Sequence, residues 1–255
     1  MKDERKAISL LIPAYNEELW IVETIHSLIA FLEQRFDSYE ILVIDDGSTD
    51  GTTELVAGLQ QEQPPHGEIL LLKNSRNMGK GYSIRLGVMQ SRGEIIVFLD
   101  ADMPYALSTI DDFIVALNRG CSVVIGSRLL PDSVIYDMPL IRSLVGKSFS
   151  FLVQYLLLPG FPDTQCGFKG FTAQAAHDIF RRMSIRDFGF DIELLYIAKK
   201  LDYPILAVPV TLLRYRRGSR VHIMRDSFKM LFDIFLIRWN DWRGAYLRRP
   251  DLTPP

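Results

Sequence analysis

The run Glu94-Ile95-Ile96-Val97-Phe98-Leu99 stops abruptly at Asp100-Ala101-Asp102. An apolar strand that ends on two acids spaced i and i+2 puts carboxylates at the carboxyl edge of a sheet. That edge is where open α/β folds bind ligands. Hard oxygen donors placed there suit Mg²⁺ or Mn²⁺ held against a diphosphate. The competing reading is a plain polar loop after a strand, so the other strand ends have to decide.

Those ends repeat the pattern. Ile8 to Ile12 reads as a strand and Trp20 to Phe36 as a helix. Glu40 to Ile44 is a strand ending in Asp45-Asp46-Gly47-Ser48, after which Thr49 or Asp50 caps a helix running to about Gln61. Ile69 to Leu72 is a strand followed by a polar loop, Asn74 to Gly81, and a helix to Ser91. A helix from about Ser108 and a strand from Ser122 to Ile125 complete the regular part. Short buried strands alternating with helices predict an α/β fold, a doubly wound and mostly parallel sheet flanked by helices. After Arg128 the rhythm loosens into longer helices, a glycine-rich hairpin region from Gly167 to Phe171, and a late strand from Ile205 to Leu212. No repeat or low-complexity tract interrupts it, and 255 residues at 48% hydrophobic content fit one large domain.

Charge narrows the partners. The net charge is −2, which gives no global signal for nucleic acid. From Arg214 to Arg249, however, ten basic residues stand against three Asp, a local +7. A basic segment on an acidic body suggests phosphate, diphosphate or lipid headgroups, against the competing reading of a solvated helical face. Cys121 and Cys166 fit no zinc spacing and read as reduced thiols of a cytosolic protein. The four histidines sit in unrelated contexts. The N-terminus runs into a strand with no signal peptide pattern. No segment reaches the roughly 18 apolar residues that span a bilayer. Phe149 to Phe161 is interrupted by Ser150 and Gln154, and Ser227 to Trp242 is amphipathic at helical spacing. The second could lie on a membrane surface or pack on the core.

Four strand ends carry polar residues: Pro13-Ala14-Tyr15-Asn16-Glu17, Asp45-Asp46-Gly47-Ser48, Asn77-Met78-Gly79-Lys80-Gly81 and Asp100-Ala101-Asp102. In a doubly wound sheet they converge on one crevice. Tyr15 can cover a base, and Asp45 or Asp46 can accept from a base N–H or a ribose hydroxyl. Gly79-Lys80-Gly81 opens a helix, so its N–H groups and the Lys80 ammonium can meet negative charge. Asp102 can bind a metal, and Asp100 can orient a ribose or reach the metal through water. The Gly79-Lys80-Gly81 loop lacks the spacing of a P-loop, and no Gly-x-Gly-x-x-Gly follows the first strand.

With Gly126-Ser127-Arg128, these motifs resemble, in order, the inverting family 2 glycosyltransferases of GT-A fold. Asp163-Thr164-Gln165-Cys166-Gly167-Phe168-Lys169, Phe190-Asp191-Ile192-Glu193 and Gly218-Ser219-Arg220-Val221 are most similar to the dolichyl-phosphate β-glucosyltransferase branch of the polyprenyl-phosphate sugar synthases. The resemblance implies a Rossmann-like nucleotide-sugar-binding half over residues 8–125, an acceptor half over 126–227, and a basic amphipathic segment over 228–255. It implies a donor site built from Pro13, Tyr15, Glu17, Asp45, Asp46, Lys80, Asp100, Ala101 and Asp102. It places Mg²⁺ or Mn²⁺ at Asp100 and Asp102, and the acceptor phosphate at Arg128, Arg142 and Arg220. The donor it implies is a nucleoside-diphosphate sugar, UDP-glucose ahead of GDP-mannose, and the acceptor a polyprenyl phosphate. Such an enzyme is expected in the cytoplasm, peripheral on the cytoplasmic face of a membrane or held there by a membrane protein. Met103-Pro104 departs from the branch, which commonly has Gly-Ala there.

A phosphate acceptor is already a nucleophile, so Asp102 and Arg128 would act by charge and positioning. An alcohol acceptor on a glycan or small molecule would need a base, for which Asp191 is the candidate with Glu193 behind it. Competing structural readings give Asp191 and Glu193 to Lys199 or Lys200 at helical spacing, make Arg142 a surface arginine, and make Gln165-Cys166-Gly167 a tight turn with Cys166 a small buried hydrophobe.

Overall fold

The computed structural model describes residues 6–136, 146, 150–213 and 223–248. Five parallel strands alternate with four helices: β1 (Lys6–Ala14), α1 (Ile21–Leu32), β2 (Tyr39–Asp45), α2 (Thr52–Gln61), β3 (Gly67–Lys73), α3 (Lys80–Gln90), β4 (Gly93–Phe98), α4 (Thr109–Asn118) and β5 (Val123–Ser127). There follow β6 (Val134–Ile135), a helix α5 described over 150–156, β7 (Lys169–Thr172), α6 (Ala173–Arg182), α7 (Phe190–Lys200), β8 (Ile205–Pro209), β9 (Thr211–Leu212) and α8 (Ile223–Trp242). The seven-stranded sheet has the order β3-β2-β1-β4-β7-β5-β8, and β6 pairs with β9 in a small second sheet.

The expected α/β architecture is present, with one departure. Gly167 to Phe171 forms no hairpin. Lys169–Thr172 instead enters the sheet between β4 and β5, antiparallel to both. The reversal matters, because it puts the start of β7 level with the ends of its neighbours: Lys169 lies opposite Phe98 and Ile125. The chain leading into β7 therefore arrives at the edge where Asp100 and Asp102 leave β4. The late strand also divides, Ile205–Pro209 joining β5 and Thr211–Leu212 joining β6. Helix α1 stops at Leu32, four residues before Phe36. Helix α2 begins at Thr52, whose N–H and hydroxyl donate to Asp50.

Strand alternation divides the interior into two layers. Ile96 and Phe98 of β4 face the layer built from α3, α5, α6, α7 and α8, whereas Val97 and Leu99 face α1, α2 and α4. Phe98 stacks on Phe171 at 6.0 Å and meets Phe190 at 5.9 Å, so β4, β7 and α7 share one aromatic contact beneath the carboxyl edge.

At the opposite edge the sheet is tied by one buried carboxylate. Glu40 accepts from Ser9 Oγ at 2.6 Å and Arg92 N at 2.6 Å, and from Arg92 Nε and Nη2 at 2.9 and 2.7 Å. Glu40 is fully buried, so its replacement by Ala leaves the Ser9 hydroxyl and the Arg92 N–H without this acceptor, while the guanidinium keeps Glu68. Leaving a buried donor unsatisfied costs about 1–3 kcal/mol. Urea unfolding of Glu40→Ala is expected to show a loss of that size with the slope unchanged.

Candidate active site

The crevice lies at the carboxyl ends of β1, β2 and β4, and hydrogen bonds across the loops set its shape. Asn16, with φ of 52°, donates its N–H to Ser48 Oγ at 2.8 Å, while its Oδ1 accepts from Thr49 N at 2.7 Å. The Glu17 N–H donates to Thr52 Oγ1 at 2.7 Å. Tyr15 and Glu17 stand half-buried beside this turn, and Pro13 lies in the last stretch of β1.

Asp45 and Asp46 hold chain. Asp45 is sealed from solvent and accepts from Ser48 N at 2.9 Å and Thr53 Oγ1 at 2.6 Å. Asp46 accepts from the N–H groups of Met78 and Gly79 at 2.8 and 2.9 Å and from Asn74 Nδ2 at 2.8 Å. The negative charge that Met78 and Gly79 meet is therefore the protein's own, which corrects the expectation that the Gly79 amide waits for a ligand. Gly79 itself has φ of 100°, and a Cβ there would stand 2.6 Å from the Arg186 carbonyl oxygen. Only glycine lets the loop pass so close to 184–187.

The centre of the site is an alternation of charges. Lys80 Nζ meets Asp100 Oδ1 at 2.5 Å. Lys169, with no solvent exposure, puts its Nζ 2.5 Å from Asp191 Oδ1 and 2.6 Å from the Cys166 carbonyl oxygen. Burial pulls the Lys80 ammonium down, but the carboxylates of Asp100, Asp191 and Asp102 outweigh it and hold Lys80 above its usual range. Burial pushes the Asp191 carboxyl up, and the ammonium groups of Lys169 and Lys80 oppose that push without cancelling it. Ala101 is buried, its carbonyl accepting from Thr24 Oγ1 at 2.7 Å, and Met103 turns the chain at φ of 40°. Asp100 and Asp102 are thus carried on a turn fixed from both sides. Gly167 packs against the Asp100 carboxylate so closely that a Cβ would lie 2.3 Å from Oδ2.

Arg128 follows the end of β5. Its N–H, Nε and Nη2 donate to Asp163 at 2.9, 2.7 and 2.9 Å, a bidentate pair with a carboxylate that is almost fully buried. Burial raises the Asp163 carboxyl, but the Arg128 guanidinium more than compensates, leaving it below the usual carboxylate range. Arg128 is thereby aimed by the fold rather than left to find its own rotamer. Cys166 is buried, its thiol pushed by desolvation up to about 11, in keeping with the reading of a small hydrophobe.

The sequence brought Tyr15, Lys80, Asp100, Asp102, Arg128 and Asp191 into the account, and the fold sets all of them along this edge. It did not assign roles to Lys169 or Asp163. A lysine among Phe168, Gly170 and Phe171 was the available signal of a buried ion pair. The pairing of Asp191 and Glu193 with Lys199 or Lys200 does not occur. Glu193 instead accepts from Ser184 Oγ, Ser184 N, Ile185 N and Tyr246 Oη at 2.6–2.9 Å, and Lys200 pairs with Asp241 at 2.8 Å. Arg142 and Arg220 lie outside the described residues. Among the described residues, no three acids, histidines or cysteines gather as a metal cluster.

The sheet has seven strands, one of them reversed, with acids at its carboxyl edge. A model of the family described as Glycosyl transferase family 2 matches residues 9–180, and the chain belongs to that family. It is similar to a dolichyl-phosphate beta-glucosyltransferase of Dictyostelium discoideum, 35% identical over 94% of this chain and 76% of that protein. The Homo sapiens protein of the same description is 32% identical over 94% of this chain and 78% of its own length. Among solved structures, glucosyl-3-phosphoglycerate synthase from Mycobacterium tuberculosis with Mn²⁺, UDP-glucose and phosphoglyceric acid superposes with a TM-score of 0.65. It is 17% identical and covers 91% of this chain and 79% of that one. That likeness shows the shared GT-A fold.

The start of α7 also faces α8. A Cβ on Gly189 would lie 2.1 Å from Asp233 Oδ2, which is buried and has no hydrogen-bond partner. Burial raises the Asp233 carboxyl to about 6; Lys229 opposes the shift, and Asp187 and Glu193 add to it. The folded chain therefore binds this proton more tightly than the unfolded chain, whose Asp titrates near 3.8. Stability from this group falls as pH rises from 3.8 to about 6 and is constant above. Thermal unfolding of Asp233→Asn is expected to show a higher Tm than wild type at pH 7, with the difference shrinking on acidification.

Proposed function

We propose that this glycosyltransferase moves glucose from UDP-glucose to a polyprenyl or dolichyl phosphate with inversion. The observation that carries the reading is the Lys80–Asp100 pair beside Asp102 at the mouth of the sheet. The two relatives, described as acting on dolichyl phosphate and each matched over 94% of this chain, support the acceptor.

The nucleoside end of the donor occupies the crevice framed by Pro13, Tyr15, Glu17 and the Asp45-Asp46 turn. Its diphosphate lies toward Lys80, whose ammonium stays charged at neutral pH because three carboxylates surround it. Two carboxylates at i and i+2 would suit a hard cation held against a diphosphate. Asp102 would hold that cation, with Asp100 beside it and already oriented by Lys80. Bound Mg²⁺ or Mn²⁺ would supply positive charge to the departing diphosphate.

A phosphate monoester has a second pKa of about 6, so it is mostly dianionic at neutral pH and needs no strong base. Its oxygen attacks the anomeric carbon as the bond to the diphosphate oxygen breaks, and UDP departs. Arg128, braced by Asp163, presents a guanidinium to the acceptor phosphate, and Arg142 and Arg220 add to that charge. The enzyme works at a membrane surface from the cytoplasmic side. Residues 8–125 form the donor half, 126–227 the acceptor half, and 228–255 a basic amphipathic appendage.

A second reading rests on Asp191. Its carboxyl is buried, raised and held by Lys169, as a general base for an alcohol acceptor would be. The two readings separate in one assay, with label followed from radiolabelled UDP-glucose into the organic phase in the presence of a short polyprenyl phosphate. Asp102→Ala is expected to lower transfer by roughly 10²–10³-fold, the size of a lost charge-stabilising group. A wild-type chain that releases UDP but leaves the organic phase unlabelled would instead assign an alcohol acceptor, with Asp191 as its base.

A further inference from the structure

Helix α8 has two unlike faces. Its inner face carries Asp233, Ile234 and Ile237, all buried, with Asp241 bound by Tyr196 and Lys200. Its outer face carries Phe232, Phe235, Trp239 and Trp242, spaced i, i+3, i+7 and i+10, on one helical stripe. Arg238 donates to the Leu156 carbonyl oxygen at 2.5 Å, which sets α5 alongside. That neighbour adds Phe151 and Tyr155, one turn apart. These six aromatics are between 53% and 80% exposed. Among the described residues nothing covers them, and an apolar stripe of this size on a soluble face marks an interaction surface.

We infer that the α5–α8 face docks on an anionic lipid bilayer, a surface that the proposed lipid-phosphate acceptor would require. Three observations select the occupant. The side chains are Trp, Tyr and Phe, whose amphipathic or flat rings favour the headgroup boundary. Among the described side chains of the segment, Arg238, Arg243 and Arg248 are exposed, whereas Asp233 and Asp241 are turned inward, so the exposed charge among them is positive. A second copy placed on a two-fold axis would set arginine against arginine. No described helix is long and apolar enough to cross a membrane, so the contact is in the plane of the surface. Inwardly the helix reaches the site: Lys229 pairs with Asp187, and Asp233 lies against Gly189, where α7 begins.

Flotation with vesicles of phosphatidylcholine doped with phosphatidylglycerol tests this, with phosphatidylcholine alone alongside. The wild-type chain is expected to float with the anionic vesicles, and raised salt is expected to release it. Combined Phe235→Ser, Trp239→Ser and Trp242→Ser is expected to weaken binding about tenfold or more, since each ring leaves the interface. Arg243→Glu with Arg248→Glu is expected to abolish the preference for anionic vesicles. All five side chains are exposed, so Tm is expected to hold. Wild-type chain left at the bottom of the gradient overturns the inference, as does equal flotation of both variants. A dimer in sedimentation velocity that only the aromatic variant dissociates, without flotation, overturns it in favour of a second copy. Transfer to a polyprenyl phosphate in detergent is the separate control. Intact transfer without flotation fails the docking face alone, and flotation without transfer fails the acceptor assignment while upholding the face.

Discussion

A lysine ammonium that no water reaches has to be neutralised where it stands, and Lys169 is such a group. Its two acceptors lie on separate parts of the chain, the Asp191 carboxylate on α7 and the Cys166 carbonyl on the approach to β7. Its ammonium also stands 5.5 Å from the centre of the Phe98 ring. One side chain thus fastens the reversed strand, the buried helix and the end of β4 to each other. Asp100 and Lys80 extend the alternation outward, with Gly167 leaving just enough space for the Asp100 carboxylate. A site with this ordering keeps charged groups close together without leaving any of them uncompensated, as a low-dielectric edge requires.

What could be read from the sequence was local. Strand alternation in β1, β2 and β4 and the polar residues that end them depend on neighbours one or two positions apart, so the crevice and its Asp-Ala-Asp turn were legible. The direction of β7 was not, since a four-residue strand carries no mark of whether its partner runs with it or against it. Asp46 finds its amides more than thirty residues downstream, and Arg128 finds Asp163 at a separation of 35. Helical spacing offered Asp191 and Glu193 the lysines at the far end of their own helix. Helix α7 is buried along most of its length, so its first-turn acids serve the loops that pack on it instead.

Glu193 shows how far that service extends. Its carboxylate gathers the 184–185 turn and the Tyr246 hydroxyl, from beyond the end of α8. Helix α8 leans on the same region through Asp233 and Gly189. The appendage is therefore continuous with the wall of the site, and what its outer face meets bears on the chain that presents Asp191.

The Asp46 carboxylate has a different kind of consequence. By taking the amides of Met78 and Gly79 it ties the end of β2 to the entrance of α3, so the two loops proposed to receive the donor are held to each other. A ligand for this half of the crevice meets a shape assembled before it arrives, and the protein loses little freedom in accepting it. Competitive inhibitors aimed at the nucleoside end should accordingly be stiff: rotatable bonds there forfeit affinity that the receptor has already made available.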